Sequence, residues 1–321
     1  MTTEVWPTGA DVFTVVDLAD PAPPVFAPLA GVVVAVARGA VPDAVPEHVD
    51  VLLTDAATEV AAGRAAVQVP DLDAAVAGLR AVVDHAPCAA AALTALLRQT
   101  ELLPVPLGLA AESAVYSTLL AGPEFAAWRA ARPVRPVPPS ADPVLVERTD
   151  DVLTITLNRP ERRNAFGVAV RDGLDEALDL AIADTSITEV VLRGAGAAFC
   201  SGGDLDEFGS FTDVASAHLV RLDRSAGARV HALRQRVTAR VHGACIGAGV
   251  ELPSFAGRVV AAPDARFRLP ELSMGLVPGA GGTVSLTHRI GRHRTAWLAL
   301  SGVDLDATDA LAWGLVDALD G

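Results

Sequence analysis

The sequence predicts an α/β fold that follows a mainly helical N-terminal extension. Short apolar strands, glycine-rich loops and amphipathic helices alternate through the second half of the chain, a pattern typical of domains whose functional loops lie at strand ends. The first part instead turns helical after residue 71, and a proline-rich stretch separates the two parts. With 321 residues, the chain is long enough for one large domain or two smaller ones.

The N-terminal extension comprises residues 1–132 and begins with two predicted strands. Both are runs of valine, leucine and other small apolar residues, at 31–36 and 49–54. The following segments have helical patterns and predict helices at 71–85, 87–99, 105–121 and 123–131. Prolines recur through residues 133–142, which forbids a helix there and predicts an extended linker.

The C-terminal part comprises residues 143–321 and begins with a predicted hairpin. Its strands, at 145–148 and 152–157, flank a turn at Asp150 and Asp151. Apolar spacing predicts helices at 167–183 and 214–236. Further strands are predicted at 190–194, 237–241 and 259–262, and the first two of these run into the glycine-rich loops 199–205 and 243–251.

The charge balance excludes some classes of function. The formal net charge is −14, which disfavours a nucleic-acid-binding protein. Every basic side chain is an arginine, so Schiff-base chemistry on a lysine is excluded. Any phosphate group must therefore be bound by arginine, by backbone N–H groups or by helix starts.

Cysteine and histidine usage predicts neither a disulfide framework nor a metal site. The three cysteines, Cys88, Cys200 and Cys245, are widely scattered, which fits a protein of the reducing cytoplasm. The histidines have no metal-ligand spacing. The sequence contains neither a signal-peptide pattern nor an apolar run that approaches the roughly 20 residues needed to span a bilayer.

Two glutamates are the candidate catalytic groups. Glu251 closes the glycine-rich loop 243–251, and Glu271 follows the segment 267–270 on a separate element. Two carboxylates that face each other across a substrate can move protons to and from a bound water. Glycine-rich loops beside them can present backbone N–H groups to an oxygen that becomes negative.

Six motifs in order along residues 143–321 resemble the crotonase superfamily, the enoyl-CoA hydratase/isomerase family. They lie at 157–165, 198–205, 247–251, 267–271, 275–283 and 300–316. This resemblance implies a ββα spiral core. Residues 71–132 resemble the helical segment that follows the late Gly-Leu-Val strand in the family, so we expect a rearranged order in which these helices cover the core near Leu319. An unrelated alanine-rich extension is the alternative.

The resemblance also implies site residues. Glu251 would act on the water and Glu271 would protonate carbon, while the backbone N–H groups of Gly203 and Ala248 would bind the thioester oxygen. Ala248 stands where glycine is common in the family, although backbone donation survives. Phe208 and Phe211 would line the acyl pocket. The candidates for coenzyme A binding are Arg159, Arg162, Arg163, Ala198, Ser201, Gly202 and Leu205, with a second arginine cluster at Arg289, Arg292 and Arg294.

The implied function is an enoyl-CoA hydratase, a lyase that adds water reversibly to a 2-enoyl-CoA in fatty-acid or side-chain degradation. Coenzyme A would enter as part of the acyl-CoA substrate, without a permanently bound cofactor or metal. A homotrimer or hexamer is expected from the family. The alternatives are a double-bond isomerase, a thioester hydrolase, a cofactor-free oxygenase and a non-catalytic acyl-CoA-binding scaffold.

Overall fold

The computed structural model describes residues 12–19, 31–38, 45–55, 65–133, 135–139, 141–211 and 213–320. The fold is α/β, as predicted. The strands are β1 (Phe13–Asp17), β2 (Val32–Ala37), β3 (Val51–Thr54), β4 (Ala66–Gln68), β5 (Val144–Thr149), β6 (Val152–Leu157), β7 (Glu189–Gly194), β8 (Val237–Val241), β9 (Ala244–Ile246), β10 (Arg258–Ala261), β11 (Arg266–Arg268), β12 (Leu305–Asp306) and β13 (Ala318–Leu319).

The helices follow the same chain order. They are α1 (Leu72–His85), α2 (Pro87–Thr100), α3 (Val105–Leu120), α4 (Pro123–Ala130), α5 (Val168–Ala183), α6 (Val214–Asp223), α7 (Ala226–Ala232), α8 (Ala248–Glu251), α9 (Gly282–Ile290), α10 (Arg292–Ser301) and α11 (Ala307–Trp313). The helix predicted at 214–236 is interrupted, because Ser225 caps a new helix start by accepting a hydrogen bond from the Ala228 N–H.

A six-stranded sheet organises the C-terminal part, in the order β13-β10-β8-β7-β6-β5. Its neighbouring strands are parallel, except for the predicted hairpin of β5 and β6. A second sheet, in the order β12-β11-β9, continues directly from β8 because β9 begins three residues after β8 ends. This arrangement carries the loop 243–251 away from the main sheet and toward the segment that precedes Glu271.

The N-terminal region contains more sheet than expected. The two predicted strands are present as β2 and β3, and β1 and β4 complete a parallel four-stranded sheet. Valines 32, 34 and 36 of β2 belong to the main core, whereas Val33 and Ala35 belong to a smaller second core, so both faces of the strand are buried. The sequence did not mark β1 and β4 because they are short and adjoin proline- and alanine-rich segments.

The four N-terminal helices lie close to their predicted bounds. Asp71 caps α1 by accepting a hydrogen bond from the Ala74 N–H, and α2, α3 and α4 each have a proline in the first turn. They pack against α6, α9, α10 and the turn at Glu271–Met274. Leu319 lies in β13, which pairs with β10 and packs against α11, so the main contacts of the four helices lie elsewhere than at this strand.

Within the described ranges, no single helix is long and apolar enough to cross a membrane. The α1–α2 pair passes that test of length and composition only when the two are taken together, and they are bent by 110° at their junction.

Candidate active site

Two loops of the C-terminal part run side by side. Cys200 and Cys245 form a parallel bridge, in which the Cys200 N–H donates to Ala244 O and the Ile246 N–H donates to Cys200 O. Gly203 and Ala248 each lie three residues beyond this bridge, so the pairing sets them at equivalent positions. An added Cβ at Gly249 would lie 2.2 Å from Cys200 O, so only glycine permits this close approach.

The N–H groups of Gly203 and Ala248 are available to a ligand. Neither donates a hydrogen bond to any group in the part of the chain that the structure describes. Both residues line a cavity of about 540 Å³, together with Glu251 and Glu271. The predicted catalytic and oxyanion-binding residues are therefore brought together at one cavity.

Gly247 lies between the two candidate catalytic glutamates. A Cβ at this position would lie 2.5 Å from Glu271 Oε1 and 3.8 Å from Glu251 Oε1, so the two carboxyl groups converge on one point. The residue also has φ 51° and ψ −119°, a conformation that side chains disfavour. Glycine is thus required here by both backbone conformation and space.

Glu251 is buried and held by the backbone at the N-terminal end of α9. Its Oε2 accepts hydrogen bonds of 2.8 Å from the Ala280 and Gly282 N–H groups. Burial raises the pKa of this carboxyl to about 7, and the two N–H donors oppose that rise because they favour the charged form. Near neutral pH, Glu251 can therefore exist as a carboxylate.

Glu271 is in a less polar setting. It is 7% exposed, and its Oε2 has no hydrogen-bond partner among the described residues. Burial, and then repulsion from Glu251, raise the pKa of Glu271 well above its usual value. Glu271 is therefore the protonated member of the pair when Glu251 is charged.

A third buried carboxyl, Glu112 on α3, was missed by the sequence reasoning. Its Oε1 accepts from the Gly281 N–H at 2.7 Å, and its Oε2 accepts from the Thr283 N–H at 2.9 Å and the Thr283 hydroxyl at 2.7 Å. Burial, and then repulsion from Glu251, raise the pKa of Glu112 to about 8. The sequence does contain a signal for this residue, because Glu112 is the one charged residue in the otherwise uncharged stretch from Val105 to Leu120.

The predicted phosphate-binding arginines differ in availability. Arg159 is 1% exposed, lies 3.8 Å from Asp204 and donates to Pro138 O, so it cannot reach a phosphate in solvent. Arg162 is paired with Asp204 at 2.6 Å and with Asp206 at 2.8 Å. A direct contact with coenzyme A is thus excluded for Arg159 by its burial. Arg163 is exposed, has φ 52° and makes no ion pair with any described residue, so it remains a candidate.

The second arginine cluster has structural roles. Arg292 is 7% exposed, pairs with Glu101 at 2.8 Å and donates to the carbonyls of Val49 and Glu47. Arg289 pairs with Asp317 at 3.0 Å, and Arg294 lies over the Trp313 ring. These contacts disfavour a role in binding coenzyme A.

The remaining predicted site residues lie either in the loop 198–205 or in the wall of the cavity. Asn164 Nδ2 donates to the carbonyls of Ala198 and Phe199, and the Ser201 N–H donates to Arg163 O. Gly202 and Leu205 lie in the same buried loop, with Gly202 next to Ile246 O. Phe208 and Phe211 both line the cavity; the Phe208 ring covers Gly203, whereas Phe211 is 57% exposed.

No group of three or more histidine, cysteine, aspartate or glutamate side chains that could hold a metal ion occurs among the described residues.

The fold, the paired loops and the two buried glutamates define a class of α/β protein with a carboxyl pair beside two backbone N–H donors. Residues 147–321 match the family model for enoyl-CoA hydratase/isomerase, which is more than half of the chain. The chain belongs to the enoyl-CoA hydratase/isomerase family.

Two enzymes and one solved structure are among the proteins that resemble this chain. The chain is 38% identical over 173 residues to the 2,3-dehydroadipyl-CoA hydratase of Escherichia coli (strain K12), covering 54% of this chain and 67% of the relative. It is 36% identical over 170 residues to the 1,2-epoxyphenylacetyl-CoA isomerase of the same strain, covering 51% and 64%. The crystal structure of enoyl-CoA hydratase from Thermoplasma volcanium GSS1 superposes with a TM-score of 0.52 at 36% identity, covering 56% of this chain and 71% of that one.

Proposed function

We propose that the protein is an enoyl-CoA hydratase, which adds water reversibly across the double bond of a 2-enoyl-CoA thioester. One observation carries the proposal: two buried glutamates with different hydrogen-bonding environments converge beside two available backbone N–H groups in one cavity. The hydratase of E. coli at 38% identity supports the same reaction class.

The proposed reaction begins with Glu251 as the general base. The Glu251 carboxylate takes a proton from a water molecule, whose oxygen attacks the β-carbon of the enoyl group. The two N–H donors that hold Oε2 favour the charged form of Glu251 and leave Oε1 toward Gly247 and Glu271.

The electron pair displaced by this attack moves to the thioester oxygen. The N–H groups of Gly203 and Ala248 bind that oxygen as it becomes negative, and loss of one such donor costs other enzymes about 3 kcal/mol of transition-state stabilisation. Glu271, kept protonated by burial and by repulsion from Glu251, then delivers a proton to the α-carbon. Water has been added, and the pair is reset by exchange of a proton with solvent.

Hydration of crotonyl-CoA and longer 2-enoyl-CoA thioesters tests the proposal, with product mass as the readout. A hydratase product gains the mass of one water, whereas an isomerase product keeps the mass of its substrate and a hydrolase releases free coenzyme A. We expect Glu251→Gln and Glu271→Gln each to lower kcat by about 10²–10⁴-fold while acyl-CoA binding is retained, because each removes a proton-transfer group. The exposed Glu176→Gln serves as the matched control. Near-normal rates in either site variant would remove the paired-carboxylate mechanism.

We further propose that Arg163 and the backbone of residues 198–205 bind coenzyme A, that no cofactor is permanently bound, and that the protein works in the cytoplasm as a homo-oligomer. The three cysteines are free, which fits a reducing compartment. Loss of coenzyme A affinity in Arg163→Met would support the binding assignment. Light scattering on the purified protein tests the oligomer, and a monomer at working concentration would contradict it.

A further inference from the structure

Arg221 of α6 lies in the wall of the cavity and is fixed in place by α3. Its Nε donates to the Ser113 hydroxyl at 3.1 Å, and its Nη2 donates to Ser113 O at 3.3 Å and to the Ser117 hydroxyl. The guanidinium carbon lies 5.0 Å from the centre of the Tyr116 ring. These contacts hold the guanidinium group in one orientation.

The charge of Arg221 has no carboxylate partner within the described part of the chain. Neither an ion pair to Arg221 nor a hydrogen bond to its Nη1 is present there. Such a cation is unexpected in a protein with 39 acidic and 25 basic residues, since a partly buried charge normally has a partner. Burial lowers the pKa of Arg221, and the nearby Tyr116 and Glu112 oppose that shift only in part.

Glu112 does not neutralise Arg221. It forms no ion pair with Arg221, because its two carboxyl oxygens accept hydrogen bonds from Gly281 and Thr283, and burial raises its pKa to about 8. The cavity therefore has a positive group on one wall without a matching negative group beside it.

Tyr116 connects this positive group to the catalytic loop. A Cβ at Gly279 would lie 2.4 Å from the Tyr116 ring, so the ring packs directly on the backbone one residue before Ala280, which holds Glu251. The Tyr116 hydroxyl has no hydrogen-bond partner among the described residues. Arg221 and Tyr116 share the cavity with Phe208, Ala217 and Val220, so an acyl chain lying along these apolar groups would end near two unused donors.

We propose that Arg221, with the Tyr116 hydroxyl, forms a subsite for a carboxylate at the far end of the acyl group, so that the preferred substrates are 2-enoyl-CoA thioesters with a terminal carboxylate. This inference rests on the proposed hydratase function. A planar guanidinium whose Nη1 has no hydrogen-bond partner among the described residues suits a carboxylate better than a methyl group, because a carboxylate both accepts hydrogen bonds and supplies negative charge.

The test compares pairs of 2-enoyl-CoA thioesters of equal chain length, from four to eight carbons, that end in a methyl group or in a carboxylate. At the best length, we expect kcat/KM to be about 10-fold or more higher for the carboxylate form, the size of one charge-assisted hydrogen bond. Arg221→Met should remove this preference while changing kcat/KM for the methyl form by less than about 3-fold. Arg221→Lys should keep part of the preference, because it retains the charge without the planar donors.

One control variant and one further outcome distinguish other origins of such an effect. Arg258→Met, at an exposed arginine of β10, should leave both substrates unchanged. An equal loss for both substrates in Arg221→Met would indicate contact with a phosphate of coenzyme A, or a structural role, and would overturn the proposal.

Binding measurements test the subsite independently of turnover. The saturated acyl-CoA thioesters of each pair, titrated into the unmodified protein, should differ in Kd by about 10-fold in favour of the carboxylate form. Equal affinities would overturn the subsite. Absence of hydration with every thioester would instead overturn the hydratase function. If Arg221→Met does not fold, Tyr116→Phe removes only the hydroxyl, and an unchanged preference in that variant would remove Tyr116 from the subsite.

Discussion

The cavity has two walls of different origin. One wall belongs to the C-terminal part and carries Gly203, Ala248, Glu251 and Glu271. The other wall is α3 of the N-terminal region, which contributes Glu112, Ser113 and Tyr116. The first wall holds the groups that can perform chemistry, whereas the second fixes those groups and shapes the space for the acyl chain. The N-terminal region thus lines the same cavity as the candidate catalytic residues.

The difference between the walls lies in what each residue contacts. Glu251 and Glu271 face open space beside Gly247, whereas both oxygens of Glu112 are occupied by α9. A change in the first wall should therefore act on the chemical step, and a change in the second should act through position and charge.

The largest effect of this kind is expected for Gly247→Ala in the first wall. The added Cβ would lie 2.5 Å from Glu271 Oε1 and force a displacement of the carboxyl, and a shift of about 1 Å can cost about 10²-fold in rate. We expect kcat/KM to fall by at least that factor. Gly314→Ala is the matched control, because Gly314 also has positive φ, 79°, but an added Cβ there meets no atom within 4 Å. Activity equal to that of the control would show that the two glutamates do not converge as described.

A smaller effect is expected for Glu112→Gln in the second wall. The amide leaves at least one buried N–H of Gly281 or Thr283 without an acceptor, which costs about 1–3 kcal/mol of unfolding free energy. Removal of the Glu112 charge should also lower the pKa of Glu271, so the alkaline limb of the kcat profile should move to lower pH. Thr118→Val, on the exposed side of the same helix, is the control. A stability loss with an unmoved pH profile would limit Glu112 to a structural role.

The smallest expected effect is the change of the free energy of unfolding with pH. The pKa of Glu251 is raised to about 7 and that of Glu112 to about 8, so between pH 4.5 and 8 the folded protein binds more protons than the unfolded chain. These groups therefore contribute stability that is present at low pH and is lost as the pH rises through their folded pKa values. Denaturant midpoints should decrease from pH 5.5 to pH 8, and the decrease should be smaller in Glu112→Gln. A midpoint that rises equally in both proteins would contradict the assigned shifts.

The contrast between the two walls also explains which features could be predicted from the sequence and which could not. The residues of the first wall could be predicted from short sequence patterns, because glycine-rich loops and their terminal glutamates lie within a few residues of one another. The helices at 72–130 were also predicted, since their boundaries depend on proline and apolar spacing. Their docking could not be predicted, because it depends on contacts such as the one between the Thr100 hydroxyl and Thr283 O, far apart in the chain.

The ion pairs of two coenzyme A candidates could not be predicted for a related reason. Arg159 and Arg162 lie at positions that match the family, yet the sequence does not reveal that Asp204 and Asp206 fold back upon them. Arg221 was not singled out at all, since its significance comes from the missing carboxylate partner and from the cavity that it faces.

Four successive N–H groups at the N-terminal end of α9 donate to two carboxyl groups in alternation. Ala280 and Gly282 donate to Glu251, 29 and 31 residues away in the sequence. Gly281 and Thr283 donate to Glu112, 169 and 171 residues away. Contacts between such distant residues form slowly, because a long loop must close first. Catalytic competence should thus be acquired late in folding, only after α3 has docked on α9.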